Sequence, residues 1–125
     1  MIHIRKFNEN NENLSPIAKF IMSEIDYATE NYGEDAFEYP DEIMDMQKII
    51  DDLKVLSPDE IANILIQVLD NYPKISKFGS NWESEQTVET ITYLLGNHDG
   101  DFPGCLSSND MKKIASFDKR LKNGW

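Results

Sequence analysis

Three points along this chain carry the same instruction to begin a helix: Leu14-Ser15-Pro16, Leu56-Ser57-Pro58 and Leu106-Ser107-Ser108. A serine side chain can accept a hydrogen bond from an amide of the first turn that has no partner inside the helix. A proline at the first helical position lacks the N–H that would otherwise be orphaned. Behind each start, apolar residues recur at steps of three and four, the period of a single buried helix face. A chain written this way is committed to packing helices against one another. The spacing between the three starts is unequal and the residues after them diverge, so shared capping chemistry accounts for the likeness better than an internal repeat. A helical array of the HEAT kind is the alternative arrangement.

The first helix is expected from Ser15-Pro16, with Ile17, Phe20, Ile21, Ile25, Ala28 and Tyr32 on its inner face and Gly33 as its stop. Before it, Ile2, Ile4 and the polar run from Asn8 to Asn13 read as a short extended N-terminal arm and a loop. A second helix is expected from Pro40-Asp41, burying Ile43, Met46, Ile49, Ile50 and Leu53 and leaving Asp45, Lys48, Asp51 and Asp52 to water. In the third, Ser57 and Glu60 match a capping box and Leu56 lies at the spacing to staple onto Ile61. Ile61, Ile64, Leu65, Val68, Leu69 and Tyr72 form its stripe, Pro73 ends it, and it is the expected centre of the fold.

A fourth helix is expected from Ser80 or Asn81, with Glu83 completing a second capping box and Trp82, Val88, Ile91, Leu94 and Leu95 facing inward up to Gly96. Its Val, Ile and Thr content leaves a partly extended segment as the alternative. A Gly-, Asp- and Pro-containing loop over 97–106 leads to a last helix capped at Ser107 or Ser108. That helix buries Met111, Ile114, Leu121 and either Phe117 or Ala115, and ends at Gly124. The expected fold is therefore all-α: one domain over residues 1–125, a compact bundle of about five helices with an extended N-terminal arm.

With 125 residues, 40% of them apolar and 28% charged, the chain can close one core without disulfides or metals. A formal net charge of −11 repels both nucleic acid backbones and anionic membrane surfaces, so neither is an expected direct ligand. Cys105 is the single cysteine and can form no internal bridge, and the segment Met1-Ile2-His3-Ile4-Arg5-Lys6-Phe7 lacks the apolar run of a signal peptide. These features fit a cytoplasmic protein.

The charge is concentrated. Between Glu24 and Asp52 the chain places eleven carboxylates against one base, Lys48, and threads Tyr27, Tyr32, Phe37 and Tyr39 among them. Phe37 and Tyr39 fall outside the periodic stripe of either flanking helix. Like charges packed together repel, which a partner rich in Lys and Arg relieves, and rings among them can anchor that partner. The expected contacts are Glu34, Asp35, Glu38, Asp41 and Glu42 as charge partners and Phe37 and Tyr39 as anchors. The plain alternative is a solvated face that only confers solubility.

Other chemistry finds little footing. Asn97, Asp99 and Asp101 alternate like the opening of a calcium loop, but Phe102 occupies the position that needs glycine and Ser108 the position that needs a bidentate Glu. His3 and His98 make no zinc pattern, and no metal or cofactor is expected. Cys105 has His98 seven residues before it but no motif that activates a thiol, and no phosphate-cradling glycine loop or nucleophile elbow occurs, so no enzyme is expected. Lys112, Lys113, Lys119, Arg120 and Lys122, against Asp110 and Asp118, make the C-terminal helix the one basic region. Cations near a helix C-terminus, paired with acids of the same molecule, explain it without nucleic acid.

A small, acidic, helical chain with a surface such as Asp35-Ala36-Phe37-Glu38-Tyr39-Pro40-Asp41-Glu42 resembles the immunity proteins of bacterial toxin systems, those of contact-dependent growth inhibition and of colicin-type nucleases. The resemblance is one of kind across the whole chain. It implies a cytoplasmic inhibitor that binds a cognate, basic toxin domain such as a nuclease and blocks its active site or the access of its substrate. The alternative is a nucleic-acid mimic or regulatory adaptor that occupies a basic host or phage protein with the same acids.

Overall fold

A computed structural model of the chain describes residues 14–33, 43–71, 82–96 and 106–122. Among these residues the chain forms five α-helices and a closing 3-10 turn, with no strand: α1 (Pro16–Tyr32), α2 (Met46–Leu53), α3 (Pro58–Asn71), α4 (Trp82–Gly96), α5 (Ser108–Phe117) and the turn Lys119–Lys122. The all-α expectation holds, and none of these helices is long and apolar enough to cross a membrane. The N-terminal arm, the stop at Pro73, the caps Ser80 and Asn81, the calcium-like run, His3, His98 and Cys105 lie outside the described residues.

The serine starts behave as their chemistry requires. Ser15 Oγ accepts from the amide of Ala18 at 3.0 Å, and Ser107 Oγ from that of Asp110 at 3.1 Å. At α3 the box closes in both directions: Glu60 N–H donates to Ser57 Oγ at 3.2 Å and Ser57 N–H to Glu60 Oε1 at 3.0 Å. Leu56 is partly buried and packs against the core, and Ile61 within that core is fully buried. The amide of Ser15 also donates to Gln67 Oε1 at 3.0 Å, which fixes the entry of α1 against α3.

The core is aliphatic and draws on every helix: Ile21, Met22 and Ile25 of α1, Ile49, Ile50 and Leu53 of α2, Ile61, Leu65 and Leu69 of α3, Ile91 and Leu95 of α4, and Ile114 of α5. Its centre differs from the expectation. Helix α3 packs against α1, α4 and α5, whereas α4 packs against α1, α2, α3, α5 and the 3-10 turn. A helix enclosed on so many sides has no broad polar face, and this is why its sequence pattern is blurred and strand-like. Its buried threonines bond back to their own helix, Thr87 Oγ1 to the carbonyl of Glu83 at 2.8 Å and Thr92 Oγ1 to that of Glu89 at 2.9 Å.

Glu83 is the exception. It is 1% exposed and neither carboxylate oxygen accepts a hydrogen bond among the described residues, while Ser80, its expected capping-box partner, lies outside them. A buried polar group without partners costs about 1–3 kcal/mol, and more for a charged one. Glu83→Met, which keeps length and flexibility while removing the oxygens, should therefore raise stability in urea unfolding by about 1–3 kcal/mol. A loss of stability would mean that the carboxylate holds something in place.

Two boundaries move. Helix α2 begins at Met46, because Asp45 leaves helical geometry (φ −79°, ψ 70°) and caps the helix by accepting from Lys48 N–H at 3.2 Å. Pro40 and Asp41 lie outside the described residues, while the buried Met44 joins the core just ahead of this break. The last helix is not continuous to Gly124: it stops at Phe117, Asp118 is extended, and Leu121 reaches the core from the 3-10 turn. The cause is local competition, since the Asp118 side chain accepts from both the backbone amide and the guanidinium of Arg120. Ala115 is the buried member of the Phe117–Ala115 alternative, and Phe117 is about half exposed.

Candidate protein-binding surface

All seven residues expected to form the contact, Glu34, Asp35, Phe37, Glu38, Tyr39, Asp41 and Glu42, lie outside the described residues. What the structure fixes is the frame around them. The chain leaves α1 at Gly33, whose positive φ of 62° is the left-handed geometry that glycine adopts freely and whose N–H donates to the carbonyl of Thr29. It comes back to the same helix at Asp45, whose N–H donates to Glu24 Oε1 at 2.8 Å. The acidic segment is thus tethered at both ends to the flank of α1, and a rigid anchorage of this kind is how binding segments are held in position.

Several acids of the run have structural work. Glu24 holds the Asp45 amide and Asp45 caps α2. Asp51 accepts from Gln47 at 3.0 Å and pairs with Lys54 at 3.2 Å. The only base of the run, Lys48, pairs with Asp52 at 2.8 Å and lies 5.0 Å from the centre of the Phe20 ring. Its hydrogen bond to Asp52 raises the lysine pKa. Glu30, exposed on the last turns of α1, makes no ion pair among the described residues.

Next to Glu30 the structure shows a feature that helical periodicity had mislaid. Tyr32 was expected in the buried stripe of α1, yet it is 47% exposed. It meets Tyr27, 51% exposed, edge to face with ring centres 6.3 Å apart. The buried residues of α1 are Ala18, Ile21, Met22, Ile25 and Ala28, so packing stops one turn before Tyr32. The available signal was the position of Tyr27 on the polar side of the helix; Tyr32 sits at its last residue and follows Tyr27 out.

Two of the five bases at the basic end, Lys113 and Arg120, are engaged within the molecule. Lys113 Nζ lies 3.4 Å from Asp59, and Arg120 bridges Asp118 at 2.6 Å and Asp70 at 3.1 Å, joining the C-terminal turn to α3. The Arg120 hydrogen bond holds the Asp118 carboxyl below the ordinary aspartate range, against a smaller opposing effect of burial. That contribution to stability is present above the usual aspartate pKa and is lost as pH falls through the lowered value. The described residues contain no group of three or more His, Cys, Asp or Glu placed to hold a metal ion.

No family model matches the sequence, and comparison with curated proteins and with solved structures gave no significant match.

Proposed function

We propose that this chain is a cytoplasmic immunity protein that binds and neutralises a cognate basic toxin domain, such as a nuclease, through the acidic and aromatic flank of α1 and the segment that follows it. The observation that carries the reading is the exposed Tyr27–Tyr32 pair beside a densely acidic segment tied at both ends to one helix. The charge would steer a cationic partner into contact, and the rings would supply the desolvated anchor where most binding energy resides. The run holds eleven carboxylates against one base, Lys48, so the field it offers to the partner stays strongly negative.

The test is capture of the chain from its native cell, identification of what comes with it, and assay of that protein with and without stoichiometric chain. The expected result is a basic toxin domain, released by high salt and silenced when the chain is added. A partner whose activity persists at saturation, or whose binding ignores salt, overturns the reading. A captured DNA-binding protein with no toxic activity would favour the mimic instead.

A further inference from the structure

The tyrosine pair suggests a more specific chemistry, which rests on the function proposed above. We propose that Tyr27 and Tyr32 form an aromatic clamp for an arginine side chain of the partner, with Glu30 supplying the carboxylate that pairs with its guanidinium. Both rings keep about half of their surface exposed although they touch one another, so the pair is already arranged without being consumed by the core. Little ordering remains to be done at binding, and preorganised rings lose less free energy when they are covered.

The choice of arginine follows from the ligand chemistry of the site. A guanidinium is planar and weakly hydrated, so it can lie against a tyrosine face while its fork of N–H groups reaches a carboxylate; an ammonium is a compact, strongly hydrated charge that does this poorly. Glu30 lies three residues after Tyr27 on the same exposed face of α1, the spacing at which helical side chains are neighbours. An apolar partner side chain would cover the rings but leave the surrounding negative charge without complement. The nearest cation of the run, Lys48, is held by Asp52 and Phe20.

The experiment titrates the full chain, isotope-labelled at tyrosine, with blocked tri-arginine and blocked tri-lysine peptides of equal charge, following ring resonances by NMR. The arginine peptide should shift the Tyr27 and Tyr32 signals and bind about threefold to tenfold tighter than the lysine peptide, the range expected from stacking at a partly exposed site. The double variant Tyr27→Leu, Tyr32→Leu should bring the arginine peptide down to the lysine level, and Glu30→Gln should weaken both. Equal affinity for the two peptides, or ring signals that do not move, overturns the clamp. Full affinity of the double variant for a captured basic partner also overturns it while leaving the proposed function standing. If no basic partner exists, that function fails, yet the contrast between the peptides still decides the clamp.

Discussion

Replacing Asp35 and Glu38 together by lysine should weaken binding of the basic partner by about a hundredfold or more. A close pair of opposite charges at such an interface is worth from about 1.5 kcal/mol upward, two of them make about 3 kcal/mol, and each 1.4 kcal/mol is a factor of ten. Reversal adds repulsion to the loss of attraction, so the true effect should exceed the sum. The association rate should fall and the salt dependence of binding should flatten, because steering is lost with the charges. Stability should not suffer: the substitutions shift a net charge of −11 toward zero and reduce the self-repulsion of the segment. Unchanged affinity in a variant that melts like the native chain would remove this surface from the account.

The second large effect concerns the scaffold. Leu95→Ala should destabilise the chain by about 3–5 kcal/mol, read as a shift in urea midpoint and a fall in melting temperature on the order of 10 °C. Leu95 is fully buried, and α4, which carries it, packs against four other helices and the 3-10 turn. The cavity would open where several elements meet, and a site walled by rigid neighbours collapses poorly. Tyr93→Ala is the internal control: it lies two residues away on the same helix but is more than half exposed, and should change stability by less than about 0.5 kcal/mol. Similar losses for both would contradict the placement of α4 at the centre.

Helix starts and buried stripes were legible because their causes are local. The caps at Ser15, Ser57 and Ser107, and the inner faces of α1 to α3, follow from spacing alone. What escaped depends on neighbours. Ser84, Thr87 and Thr92 are buried because α4 is surrounded, which blurs the polar face that periodicity looks for. The break at Asp118 depends on Arg120, which the same residue binds through backbone and guanidinium together. Tyr32 matches the buried period but lies one turn beyond Ala28, the last buried residue of α1.

The site was legible in the same proportion. A dense negative charge with interleaved rings was plain in the composition of residues 24–52, but which acids are already occupied was not. Glu24 reads as one more surface carboxylate, and only the fold brings it to the amide of Asp45, twenty-one positions on. Residues 34–42 remain an expectation from sequence, framed by Gly33 and Asp45.

Amide hydrogen exchange of the chain, free and bound to its captured partner, addresses the central claim most directly. Protection should appear in peptides covering the C-terminal half of α1 and residues 34–45, with α5 and the 3-10 turn unchanged. Protection confined to Ser108–Lys122, with the acidic flank exchanging as it does in the free chain, would contradict the account.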